Sequence, residues 1–149
     1  MRKYIVNSTY CIYMLQLSQL YFDESILTTD SVIQEVKYEK NISIEIHTVP
    51  VKKINITGKT DKLSDTDLEL LCTAKAMSCV LVSDDKNLIK AAQGNNVYTL
   101  DTPHFIHKLL MDNKWTEEKG IEVLNKLRNF YNRVYVIDKV LKNIKNWRG

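Results

Sequence analysis

Proline and glycine are scarce, with 2 and 4 copies in 149 residues. So few chain breakers exclude a collagen-like or low-complexity chain and argue against an all-β fold built on tight turns. Cysteine is scarce too. Cys11, Cys72 and Cys79 are an odd number with no Cys-x-x-Cys spacing, which leaves neither a complete disulfide framework nor a zinc ribbon. Buried, reduced thiols in a cytoplasmic protein are the expected state. No apolar run approaches the roughly 18 residues of a membrane span. At the N-terminus, Asn7-Ser8-Thr9 interrupts a strand-like start before a signal-peptide core can develop.

What is present is an ordinary globular balance, 44% hydrophobic and 26% charged, in a length that suits one domain with a full core. The net charge of +3 hides an asymmetry: residues 1–103 carry 11 Lys/Arg against 13 Asp/Glu, and residues 104–149 carry 10 against 5. An acidic front and a basic tail are compatible with cations held by the first and a polyanion by the second.

The centre of the pattern is Val80-Leu81-Val82-Ser83-Asp84-Asp85: a short buried strand with two carboxylates at its end, followed by a helix over residues 86–92. In an open parallel sheet, that is where the ligand crevice lies. Either aspartate also suits the N-cap of the helix. Elsewhere, Tyr4-Ile5-Val6 predicts a first strand and residues 10–20 a helix. The N-cap residues Thr28-Thr29-Asp30-Ser31 announce a second helix through Val32-Ile33-Gln34-Glu35-Val36, with Ser31 and Gln34 spaced for a capping box. Residues 44–49 alternate as a strand, residues 51–56 read as a strand or an extended connection, and a helix runs from about residue 63 to 77. Ser64 and Asp67 are spaced for a capping box there. Residues 97–100 form a last strand. This β–α–α–β–α–β–α–β order predicts a three-layer α/β/α sandwich with a mainly parallel sheet over 1–103. Residues 104–111, 116–130 and 133–147 predict helices of a C-terminal extension (104–149), the last two as a hairpin packed on the same domain or on a partner.

Asn7 and the Asp84-Asp85 pair follow strands, while Glu35 and Asp67 lie in early turns of helices. Parallel topology carries all of these to one edge of the sheet. Carboxylates crowded together resist joint ionisation unless a cation neutralises them. An all-oxygen cluster suits Mg²⁺ or Mn²⁺, which keep waters and bind phosphates.

On four stretches the chain resembles the PIN-domain nucleases: Ile5-Val6-Asn7-Ser8-Thr9, Val32-Ile33-Gln34-Glu35-Val36, Leu63-Ser64-Asp65-Thr66-Asp67-Leu68 and Val80-Leu81-Val82-Ser83-Asp84-Asp85. The resemblance spans residues 4–100 and implies a divalent-metal-dependent endoribonuclease. Position by position, Glu35, Asp67 and Asp85 match metal-binding catalytic acids, and Asp84 is an adjacent acid sharing the task. Asn7 stands at the first acidic position and would be a neutral metal ligand. Ser8, Thr9, Ser83 and Lys86 would position substrate. Lys86, Lys90 and the tail residues Arg128, Arg133, Lys139, Lys142 and Lys145 would guide an RNA backbone. The compact length is similar to VapC-type toxins, which implies a small antitoxin partner. Leu63-Ser64-x-x-Asp67 is similar to archaeal-type RNA-processing PIN proteins. The alternative is a PIN-fold protein that binds RNA or protein without catalysis. A further reading is a homodimer joined through Val134, Ile137, Leu141 and Ile144. His104-x-x-His107, Trp115 and Trp147 are expected to be ordinary helix and packing residues.

Overall fold

Two wholly apolar stretches form the centre of the sheet. β1 (Tyr4–Val6) and β4 (Val80–Val82) are buried at every position, as parallel strands covered on both faces must be. They pair in parallel, Tyr4 opposite Val80 and Val6 opposite Val82. In the computed structural model, which describes residues 2–40 and 46–148, the sheet has the order β3-β2-β1-β4-β5. β2 is Ile26–Thr28, β3 is His47–Thr48 and β5 is Thr99–Leu100. All pairings among the described residues are parallel.

The crossovers decide where chemistry can sit. After β1 comes α1 (Ser8–Gln16), and after β2 comes α2 (Asp30–Lys40); these two helices pack on each other. α3 (Asp65–Met77) and α4 (Lys86–Gln93) flank β4 and also pack together. Right-handed crossovers running outward from the centre in opposite directions put the two helix pairs on opposite faces, giving the expected α/β/α sandwich. The direction of the chain reverses between β1 and β4. Their carboxyl ends therefore open a crevice at the switch point, where ligands of open α/β sheets bind.

The structure corrects the reading of the first half. The region around residues 26–28 contains a strand that the sequence pattern does not predict. Ile26, Leu27 and Thr28 are buried, but the run is only three residues long and ends in residues that signal a helix cap. The predicted strand at 44–49 reduces to His47–Thr48, and its residues 44 and 45 lie outside the described residues. Residues 51–56 are a connection without strand pairing. The Ser31–Gln34 capping box does not form: Ser31 Oγ donates instead to Glu69 Oε2 at 3.1 Å, tying α2 to α3. α1 stops at Gln16, where the chain turns through Ser18 at φ 53°.

The C-terminal helices belong to the same body. α5 (Thr102–Met111) sets Phe105 against Tyr4 of β1 and Tyr10 of α1, at centroid distances of 5.1 and 5.2 Å. α6 (Glu117–Leu127) and α7 (Val134–Arg148) form the predicted hairpin and pack on α5 and on each other. Ile137 and Ile144 are fully buried inside the chain. Half of the stripe proposed to join two copies is therefore covered by the chain's own helices, while Val134 and Leu141 are only half-buried. Among the described residues no helix is long and apolar enough to cross a membrane.

α5 and α6 approach closely at Gly120, where an added Cβ would lie 2.2 Å from Leu110 Cδ1. Leu110 is itself buried, so the side chain has little room to yield. Although alanine is the better helix former, Gly120→Ala is expected to destabilise the protein by about 1–3 kcal/mol through overpacking. Thermal unfolding would show this as a drop of several degrees in Tm; an unchanged or raised Tm would mean the contact relaxes freely.

Candidate acidic site at the strand carboxyl ends

Asn7 closes β1 and caps α1. It is 1% exposed, and Oδ1 accepts from the Tyr10 N–H at 3.3 Å. Nδ2 donates to Thr9 Oγ1 at 3.2 Å and to Ser83 Oγ at 2.8 Å. Ser83, fully buried at the end of β4, in turn accepts from the Asp85 N–H at 3.0 Å. The two central strands are thus joined at their carboxyl ends by side chains. Ser83 and Thr9, expected to position substrate, serve this internal lock. Next to it, Ser8 Oγ donates to Glu35 Oε1 at 2.6 Å and brings α2's carboxylate to the same edge.

Asp85 is the N-cap of α4, its Oδ1 accepting from the N–H groups of Asn87 at 2.8 Å and Leu88 at 3.2 Å. On α3, Ser64 Oγ caps the helix by accepting from the Asp67 N–H at 3.1 Å. The predicted capping pair places the Asp67 carboxyl in the first turn. Burial foremost, then the neighbouring Asp85 and Glu35 charges, together push that carboxyl up to about 6, against a lowering hydrogen bond with Ser64. Glu35, Asp67 and Asp85 therefore share one field, although they come from three separate helices.

The donor set was tested against the implied divalent ion. Among the described residues no group of three or more Asp, Glu, His or Cys side chains is placed to hold a metal ion. The acids nonetheless keep oxygens to offer. Glu35 uses Oε1 and Asp85 uses Oδ1 in the hydrogen bonds above, and the second oxygen of each has no hydrogen-bond partner among the described residues. One or two direct carboxylate bonds, with the other acids reached through retained waters, is how Mg²⁺ binds. The described acids form no ready-made metal site, and an ion here would be held largely through its own waters.

Asp84, expected to share this task, does not face the notch. Its carboxylate accepts from the Thr102 N–H at 2.9 Å, from Thr102 Oγ1, and from the Tyr131 hydroxyl at 2.6 Å. Arg133 Nη2 lies 3.6 Å from Asp84 Oδ1 and 3.1 Å from the Tyr131 hydroxyl. Burial holds the Asp84 carboxyl above the ordinary range even though Thr102 and Tyr131 pull it down. This is a clasp between the end of β4, α5 and the α6–α7 junction. Thr102 and Tyr131 carried no sequence signal for it, since both lie far from Asp84 in the chain.

The backbone-guiding candidates divide. Arg128 pairs with Asp138 and Arg133 is committed to the clasp, whereas Lys86, Lys139, Lys142 and Lys145 are exposed. His104 Nδ1 contacts Asp101 Oδ1 at 2.6 Å, and the His107 ring meets Trp147 edge-on at 6.3 Å. The two histidines therefore do not converge on a common site. Trp115 is buried against Tyr21. Compared with protein-family models, curated proteins and solved structures, the chain matches none.

Two outcomes are expected. A carboxyl whose folded pKa lies above its unfolded value favours the protonated native state. Asp67 then contributes no penalty below about pH 4, and a destabilisation that grows as the pH rises through 6. Asp67→Asn should raise stability by on the order of 1–2 kcal/mol at pH 7.5, after discounting for solvent screening, and by nothing at pH 4. Parallel urea titrations at the two pH values would show it, and an equal effect at both would contradict it. Tyr131→Phe removes a charge-assisted bond to buried Asp84 and should lower the unfolding free energy by about 1.5–3 kcal/mol, read as a lower urea midpoint at unchanged m.

Proposed function

We propose that the chain is a PIN-like, divalent-metal-dependent endoribonuclease whose acidic site is one charge short. The observation that carries this reading is that the Asp85 and Glu35 charges both act on the Asp67 carboxyl at the switch-point edge, where Ser8 holds Glu35 and Asn7 is tied to Ser83. A divalent cation would supply positive charge for the phosphate and Lewis acidity for an attacking water. The protein's own part is geometric. Ser8 holds Glu35 in place, Ser64 fixes Asp67 at the start of α3, and the α4 N–H groups orient Asp85 so that its second oxygen stays available. Three unpaired cysteines suit a cytoplasmic setting, and RNA is the partner this chemistry would take.

The alternative, an RNA- or protein-binding PIN fold without catalysis, is favoured by Asn7. Its side chain is buried, and its amide hydrogens are spent on Ser83 and Thr9, so it brings no charge toward an ion. A small antitoxin as partner belongs to the toxin-like form of the first reading.

Incubation of the purified protein with labelled single-stranded RNA and Mn²⁺ separates the two. The nuclease reading expects cleavage that falls at least about a hundredfold in both Asp67→Ala and Asp85→Ala, the scale of losing a metal-holding group. The same experiment on Asn7→Asp should show faster cleavage, together with lower stability in EDTA, because a buried carboxylate joins three half-buried ones. Cleavage that survives both alanine substitutions would show that a different site, or a contaminant, is responsible.

A further inference from the structure

Beside the acidic notch, on the far side of Asp85, the connection before α3 and the exposed flank of α4 enclose a cavity of about 490 Å³. Lys59 and Lys62 come from the connection and Lys90 from α4, with Asn87 between them and Asp61 the one acid on the lining. The three lysines form no ion pair among the described residues. With Asp61 the one acid beside them, the three ammonium groups leave the concavity with a net positive field that an anion relieves.

The cavity has fixed walls. At its outer end Thr57 is clamped by the buried Asn95, whose Oδ1 accepts from the Thr57 N–H at 2.8 Å and whose Nδ2 donates to the Thr57 carbonyl at 3.0 Å. Gly58 then turns the connection with φ +83°, a left-handed value that glycine adopts without strain. At its inner end the connection runs through Leu63 into Ser64, the cap that sets Asp67. The other wall is α4, which begins at Asp85. Both walls therefore lead directly from the cavity to the acids. Lys90 lies five residues beyond Asp85, about 7.5 Å along the helix axis.

We propose that this cavity holds the sugar–phosphate backbone of a single-stranded nucleic acid adjacent to the acidic notch. The idea rests on the ribonuclease reading for the notch and adds where the strand lies. No aromatic side chain lines the cavity, so a base has nothing to stack on. Mobile ammonium groups and an amide suit phosphate oxygens, and such contacts hold a strand without reading its sequence. A charged channel of this kind also offsets the repulsion between an incoming phosphate and Glu35, Asp67 and Asp85.

Fluorescence anisotropy with a labelled oligouridine, in EDTA to exclude cleavage, tests the cavity separately from catalysis. The triple variant Lys59→Ala/Lys62→Ala/Lys90→Ala should weaken binding about tenfold or more. It should also reduce the slope of log affinity against log salt by about 2, the value for three phosphate contacts to a single strand. Lys126→Ala, which removes a positive charge on α6, should leave both quantities unchanged. Undiminished affinity and slope in the triple variant would overturn the cavity proposal, even if the wild-type protein cleaves RNA. Loss of binding in the triple variant, with no cleavage by wild type in Mn²⁺, would support the cavity and overturn the nuclease reading. A wild-type protein that binds polyglutamate but not RNA at low salt would overturn both.

Discussion

The hydrogen bond from Asn7 Nδ2 to Ser83 Oγ, 2.8 Å long and buried, joins the carboxyl ends of two strands that lie 76 residues apart in the chain. β1 and β4 pair in parallel along their length, and the bond continues that pairing past the last backbone contact into side chains. Ser83 passes it on to the Asp85 N–H, and Asn7 passes it on to α1. A buried polar link of this kind is costly to break, since each lost partner leaves a desolvated group behind. It fixes the spacing of the switch-point crevice, and with it the distance between α4's cap and the Ser8–Glu35 contact.

That constraint explains how acids are held where they repel. Glu35 and Asp85 each have one oxygen committed to a donor of the protein, which keeps the side chain in place. Asp67 has no such strong donor besides Ser64, and it absorbs the crowding as a raised pKa. An aspartate in place of Asn7 would add a fourth charge at a position that is 1% exposed. The amide avoids that cost and donates to Ser83 in the same place, so the lock at position 7 is compatible with a weakened ion site.

Much of this was legible in the sequence because it is local. Ser64 and Asp67, three apart, announce a helix start that the structure bears out. Val80-Leu81-Val82 followed by Ser83-Asp84-Asp85 announces a buried strand and a cap. β2 was not legible: Ile26-Leu27-Thr28 is too short to show a period, and its place in the sheet comes from pairing with β1, Tyr4 opposite Ile26. Nor could the sequence divide labour between Asp84 and Asp85. Successive residues leaving a strand point to opposite sides, and the partners that claim Asp84, Thr102 and Tyr131, lie 18 and 47 residues away. That one of the two aspartates would cap α4 was visible from the start; Asp85 takes that role, which coexists with a free second oxygen. Lys59 and Lys62 read as an ordinary polar loop until Asn95, far along the chain, is seen to clamp that loop against α4.

The most direct test of the crowded notch is a ¹³C NMR titration of the Asp67 side-chain carboxyl, first in EDTA and then with Mg²⁺. The account predicts a midpoint of about 6 without the ion and a marked fall when Mg²⁺ is present, since a bound cation favours the ionised form. An ordinary carboxylate midpoint that Mg²⁺ does not move would show that Glu35, Asp67 and Asp85 form neither a coupled cluster nor a cation site.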